Sequence, residues 1–260
     1  MIADWLYGLP DAALFVLFSG ATVLAFFGLR LVVRGHPGLL PARDDADFGV
    51  RAQGTLFSVC SLVLAFSLVQ AETNARHVET VVAAEASEIN RLDRVLERMN
   101  DPAAESARAL LRAYAQSVVA DEWPAMSRGA ASPRTRAAFT ALYDGTLSLP
   151  PTATSTGDSA EVMKSMDAIA DRREERIDLA TVALPPVFWG VIAFGMAIFV
   201  AASSTLATTS FRRMIVACQA AVLGALLAVV FINDQPFKGQ TSVSPHPFLK
   251  ALDAMNARRR

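Results

Sequence analysis

Gly54, Ser58, Ser61, Ala65 and Glu72 recur at a spacing that puts them on one face of a helix, within about 40° of a common line at 100° per residue. Hydroxyl groups and small side chains ending in a carboxylate can line a water path, and copies of the chain around an axis would repeat them as rings. Leu64 and Leu68, slightly rotated from that line, are suited to a hydrophobic constriction of the kind that gates by dewetting. Carboxylate rings at Glu72 and Glu85 would favour cations over anions. Packing is the competing reading. Serines and small residues are also where helices touch, and an acidic residue in an apolar seam, as Glu85 is, can set the register of a bundle.

Other chemistry finds little support. His36, His77 and His246 lie in different segments, none in His-Glu-x-x-His spacing. There is no Gly-x-Ser-x-Gly elbow and no phosphate-binding Gly-Lys-Ser/Thr loop. Cys60 and Cys218 fall in apolar runs and match no metal spacing, so they read as small packing residues. The expectation is a protein that is not an enzyme and has no cofactor, metal or catalytic residue. A net charge of −1 offers no field to attract nucleic acid. Ionisable residues inside the apolar runs, the mark of a proton-coupled carrier, are missing as well.

The elements that must position these residues are helices in lipid. Hydrophobic residues make up 53% of the 260, a membrane-protein composition. Ala12 to Leu29 is an uncharged run of 18 residues behind Trp5 and Tyr7, which resemble an interfacial aromatic belt. Asp4 and Asp11 precede it and Arg30 and Arg34 follow, the wrong order for a signal peptide, so it reads as a retained span. Gly35, Pro37, Gly38 and Pro41 break the connector, whose Arg43–Asp47 patch reads as a solvated loop.

Ala52 to Ala71 supplies 20 uncharged residues, enough to cross a bilayer, and runs without Gly or Pro into a charged amphipathic helix. One seam passes through both parts: Ser61, Leu64, Leu68, Ala71, Ala75, Val78, Val82, Glu85, Ile89, Leu92, Leu96 and Met99. Its spacing alternates three and four, as in helices packed side by side. The third span opens at Pro185 and Pro186. The fourth carries Ala217, Ala221 and Ala225 beside Ala220, Gly224 and Ala228, small residues that let backbones approach closely.

Between the second and third spans the chain reads as helix throughout. Asp101-Pro102 caps one helix that runs to about Glu122, and Ser132-Pro133 caps a second. A Pro/Thr/Ser-rich loop from Leu149 to Gly157 follows. Asp158 and Glu161 then form a capping-box-like start to a helix striped by Val162, Met166, Ile169 and Ile177. That helix leads into the third span, and Arg172, Arg173 and Arg176 on it read as a salt-bridged, solvated face, with contact to anionic lipid headgroups as the alternative.

The fold expected is therefore an all-α membrane protein. Spans lie at about residues 10–33, 54–71, 184–206 and 214–233, and extensions of spans 2 and 3 form a helical bundle over 72–183. A first hairpin occupies 1–71 and a second 184–233. A polar C-terminal tail, 234–260, begins at Asp234, which reads as a helix-end anchor or as part of an ion path, and finishes in Arg258-Arg259-Arg260.

Three segments carry a family resemblance. Asp121-Glu122-Trp123-Pro124-Ala125-Met126, Leu184-Pro185-Pro186-Val187-Phe188-Trp189 and Asp234-Gln235-Pro236-Phe237-Lys238-Gly239, the last with Val243-Ser244-Pro245 and Phe248, resemble the motifs of the bestrophin-like family of bacterial membrane proteins. Together with the matching hydropathy, the resemblance covers essentially the whole chain. It implies a four-span, helical, homo-oligomeric protein of the bacterial inner membrane, in contact with lipid and with small ions, and it raises the hypothesis of an ion channel. The family is named for kinship with anion channels, whereas rings at Glu72 and Glu85 would select cations. A non-conducting scaffold or sensor whose helical domain binds a partner is the alternative.

Orientation is contested in the same way. Arg30, Arg34, Arg43, Arg51, Arg212 and Arg213 flank the two connectors, which leans toward a periplasmic bundle by the positive-inside rule. Bestrophin-like architecture implies a cytosolic one.

Overall fold

A computed structural model describes residues 2–36, 46–150, 156–206 and 209–258 of the chain. Every regular element among them is helical. In order these are α1 (Ile2–Tyr7), α2 (Asp11–Arg34), α3 (Ala46–Met99), α4 (Pro102–Ser117), a π-helical turn (Val118–Glu122), α5 (Trp123–Met126), α6 (Pro133–Leu147), α7 (Thr156–Leu179), α8 (Pro186–Leu206), α9 (Ser210–Asn233) and α10 (His246–Ala257). Pro37 to Asp45 of the first connector, Pro151 to Ser155 of the loop and Arg259-Arg260 lie outside the described residues.

The chain divides into two compact units. One comprises Met1–Thr73, Ala183–Gln235 and Gly239–Thr241, the other Asn74–Val182, Pro236–Lys238 and Ser242–Arg260. Helix α3 belongs to both. Its 54 residues, about 80 Å at 1.5 Å per residue, run unbroken past Glu72. It starts at Ala46, earlier than the apolar run alone indicates, because a polar turn can extend a helix beyond the bilayer.

The first unit holds helices long and apolar enough to cross a membrane: α2, the first part of α3, α8 and α9. Helices α2 and α9 meet at the small residues. A Cβ on Gly224 would lie 2.6 Å from the Phe18 carbonyl oxygen and 2.6 Å from the Ser19 Cα. At that separation Ser19 donates to the Ala221 carbonyl at 3.1 Å and Thr22 to the Ala220 carbonyl at 2.8 Å. The seam of α3 packs inward, with Cys60, Leu64 and Ala71 in one core with Ile192, Phe199, Ala220 and Leu223.

Arg30, which flanks the first apolar run in sequence, lies within α2. It is buried and donates to the Ser204 carbonyl at 2.7 Å. Asp234 accepts the Leu184 N–H at 2.6 Å, which ties the end of α9 to the residues just before α8. Pro185 and Pro186 stand where one helix has stopped and the next begins. Helix α7 ends at Leu179 and α8 starts afresh at Pro186, whose missing N–H is harmless only in a first turn.

The second unit is a bundle of the remainder of α3 with α4, the π turn, α5, α6, α7 and α10. Asp101 accepts the Ala103 N–H at 2.7 Å, with Pro102 at the first helical position. Ser132 accepts the Thr135 N–H at 3.3 Å, with Pro133 after it. Glu161 does not close a capping box. The helix already begins at Thr156, and Glu161 accepts from Arg98 at 3.0 Å. Val82, Ile89, Leu92, Leu111, Leu142, Met166 and Ile169 fill the core. The C-terminal segment is no polar tail. Helix α10 buries Phe248, Ala251, Leu252 and Met255 in this core, and Arg258 donates to Asp93 at 2.8 Å.

The Gly224 contact is testable. Gly224→Ala should force α2 and α9 apart and destabilise the protein by about 1–3 kcal/mol, the usual range for overpacking a close contact. The change should be read as a lower thermal midpoint in detergent. Gly28→Ala, where a Cβ meets nothing within 4 Å, should leave the midpoint unchanged.

Candidate functional site

The five residues of the water-lining stripe, with Leu64 and Leu68, fall on two sides of α3. Ser58, Ala65 and Glu72 are exposed on the outer side. Leu62 stands beside them, about 40° from Ser58 and 56% exposed. Leu64, by contrast, is buried in the core of its own unit, and Leu68 is partly buried against the same core. The Ser61 hydroxyl is also buried, with no hydrogen-bond partner among the described residues. Leu64 and Leu68 therefore cannot serve as a constriction on the outer face. At 100° per residue they are rotated by about 120° and 80° from Ser58, as the inward course of the seam requires.

Glu85 is displaced more decisively. It is fully buried inside the bundle, where it forms a closed ion cluster rather than a ring of exposed charge. The Arg176 guanidinium donates from Nε to Glu85 Oε2 at 2.7 Å and from Nη2 to Glu85 Oε1 at 3.2 Å. Nη2 also donates to Glu122 Oε2 at 2.9 Å, and Nη1 approaches the Met126 Sδ at 3.1 Å. Tyr114 donates its hydroxyl to Glu85 Oε1 at 2.6 Å, and Arg173 donates to Glu122 Oε1 at 2.9 Å. The rings of Trp123 and Phe248 lie 5.8 and 5.6 Å from the Arg176 guanidinium carbon, within cation–π reach.

Local backbone chemistry places each member. Pro124 has no N–H to offer the Ala120 carbonyl and its ring crowds that position, so the helix widens into a π turn, and the Trp123 N–H bonds to the Val118 carbonyl. The widened turn ends at Glu122, whose side chain lies wholly inside the bundle. Trp123 donates from its indole to the Val243 carbonyl at 3.0 Å and meets Phe237 and Phe248 edge-on. Pro245 precedes α10, which carries Phe248. The motif residues Glu122, Trp123 and Phe248, scattered in sequence, are thus gathered around one guanidinium, with Phe237 against the Trp123 ring. Asp121 stays at the edge and accepts from Arg134 at 3.4 Å.

The expectation of a solvated face for the arginines of α7 holds only for Arg172, which is exposed and donates to Glu175 at 2.6 Å. Arg176 is wholly buried and Arg173 nearly so. The signal is present in the chain: Val162, Met166, Ile169, Arg173 and Arg176 continue one alternation of four and three, whereas Ile177 leaves it. Tyr114, placed on an apolar face by periodicity, is the other member that sequence reasoning missed. A tyrosine in such a stripe does not announce a carboxylate partner.

Electrostatics follow from burial. Desolvation alone would lower the Arg176 guanidinium, but the Glu85 carboxylate bonded to it outweighs this and holds it above its ordinary value. Burial, together with the Glu85 charge, pushes the Tyr114 phenol well above 10.0. The cluster therefore works as fixed charge, with Arg176 cationic and Tyr114 protonated at any physiological pH.

Breaking it should be severe. Arg176→Met leaves Glu85 and part of Glu122 buried without a cation, a loss of about 3–5 kcal/mol that should show as a collapse of the thermal midpoint. The tyrosine sets the pH dependence. Its folded value exceeds its unfolded one, so its contribution is complete below pH 10.0 and falls as the pH rises beyond it. Tyr114→Phe should flatten that alkaline loss of stability. It should also lower the neutral-pH midpoint, by the about 1–3 kcal/mol of a hydrogen bond taken from a buried acceptor.

Comparison with known proteins agrees with this architecture. A Bestrophin-like domain model matches residues 16–248. No curated protein matches the sequence significantly. Among solved structures, a point mutant of a bacterial bestrophin homologue from Klebsiella pneumoniae is similar at a TM-score of 0.70 and 12% identity. The match covers 96% of this chain and 98% of that one. A structure of a bacterial bestrophin homologue from the same organism, phased by zinc anomalous scattering, gives a TM-score of 0.69 at 11% identity, over 95% and 97% of the two chains. Another crystal structure, described only as a membrane protein bearing a single substitution, gives 0.72 at 11% identity, over 94% and 98%. At such identities the structural likeness speaks for the fold, and the domain match for the family. This chain is an integral, multi-pass membrane protein in contact with the lipid bilayer, and it belongs to the bestrophin-like family.

Proposed function

We propose that the protein is a homo-oligomeric ion channel of the bacterial inner membrane whose pore is lined by the outer face of α3. The observation that carries this reading is that face itself. In a segment long and apolar enough to cross a bilayer, Ser58 and Ala65 stand uncovered by the chain's own helices, and Glu72 closes the run. A small and hydroxylated stripe that ends in a carboxylate suits a helix facing its own copies around an axis. Leu62, exposed beside the serine, takes over the constriction first assigned to Leu64 and Leu68. With Glu85 neutralised by Arg176, one acidic ring remains, at Glu72, and the channel favours cations.

The family's architecture supports a cytosolic bundle. The arginine count on the opposite side weighs less once Arg30 is seen bonded inside the membrane unit. A fluorescent protein fused to the C-terminus, one that matures only in the cytosol, should therefore fluoresce; a dark but expressed fusion reverses the orientation.

Purified protein in planar bilayers tests conduction. Unitary currents should appear, Glu72→Gln should move the reversal potential toward anions, and Leu62→Ser should raise the open probability. Silent bilayers with a monomer in detergent would leave a membrane scaffold. Currents whose selectivity ignores Glu72 would remove the acidic ring.

A further inference from the structure

Helices α2 and α8 carry alanines four residues apart: Ala21 and Ala25 on the first, Ala193 and Ala197 on the second. All four are exposed, and the two stripes form the floor of an open apolar trough of about 590 Å³. Small residues at this spacing normally bring two helices into contact. Here no described element of the unit fills the space, and the lining reaches Leu29 on α2 and Val200 on α8.

The trough ends beside a cation. Arg30 follows Leu29, and Ser204, whose carbonyl accepts from Arg30 at 2.7 Å, lies one turn past Val200. Arg30 is only 8% exposed, yet among the described residues its Nε has no partner. Arg34 lies one turn further along α2 and Arg213 in the first turn of α9, both cations. A buried guanidinium with a donor unused and two like charges beside it calls for an anion.

We infer that this is a binding site for an anionic phospholipid. One acyl chain lies in the alanine-floored trough, and the headgroup phosphate sits at Arg30, Arg34 and Arg213. The apolar length selects a lipid over free phosphate, and the arginines select an anionic headgroup over a zwitterionic one. The site lies within the membrane unit alone and does not depend on whether the protein conducts.

Native mass spectrometry of the full chain, purified in detergent and titrated with equal phosphatidylglycerol and phosphatidylcholine, reads the site directly. Phosphatidylglycerol should be retained in preference. Arg34→Gln and Arg213→Gln, neither at a buried position, should each reduce that preference about fivefold, the effect of removing one basic residue from a lipid surface. Ala193→Phe should fill the trough and weaken retention of both lipids. Arg30→Gln should act most strongly; if it fails to fold, the two unburied variants and the trough variant still decide. Glycerol phosphate without acyl chains should not compete. Equal retention of the two lipids, indifference to all three substitutions, competition by glycerol phosphate, or a trough closed by a second copy in the intact oligomer would each overturn the site.

Discussion

The bundle is organised around one buried guanidinium. Arg176 has no access to water, so its charge must be balanced within the protein, and α3 supplies Glu85 while the π turn supplies Glu122. Once those carboxylates are inside, their remaining lone pairs need donors, which Tyr114 and Arg173 provide. The aromatic rings of Trp123 and Phe248 close over the guanidinium and link it to the C-terminal helix. Apolar side chains of similar size could fill the same space in several registers. A guanidinium that must meet two carboxylates at hydrogen-bond distance permits far fewer.

The same logic gives the family motifs physical content. The Asp-Glu-Trp-Pro segment brings a carboxylate inward by way of a proline-induced π turn and stacks its tryptophan on residues supplied from the C-terminus. The Asp234–Gly239 segment ends α9, ties back to Leu184, and turns where Gly239 adopts a φ of 81° that L side chains rarely take. A second buried pair, Asp93 with Arg108 at 2.9 Å, is joined by Arg258 and fastens α10 to the far end of α3. Both clusters lie in the unit that also holds the conventional apolar core, so polar specificity and hydrophobic burial reinforce one another there.

In the membrane unit the balance is different. Lipid offers helices no hydrophobic reason to associate, so contact rests on close backbone approach and hydrogen bonds from hydroxyls. Gly224, Ser19 and Thr22 show this between α2 and α9. The outer face of α3 is left uncovered by the chain's own helices. That places the functional question on what covers it in the membrane, other copies of the chain or lipid.

Much of this was legible in the residues alone. Hydropathy determined the four apolar helices, the three-and-four alternation determined the inward seam of α3 from Leu64 to Leu96, and Asp101-Pro102 and Ser132-Pro133 determined where two helices begin. Periodicity of apolar residues is a local property, so a sequence carries it openly. The partners of charged residues are not local. Glu85 and Arg176 are separated by 91 positions, and only the packing of α3 against α7 decided that they neutralise each other. Tertiary structure likewise split Ser58, Ala65 and Glu72 from Ser61, Leu64 and Leu68, because a face can be assigned as inner or outer only when the neighbouring helices are present. It also turned a polar tail into α10: a short helix of mixed composition shows its apolar side only against the core that buries it.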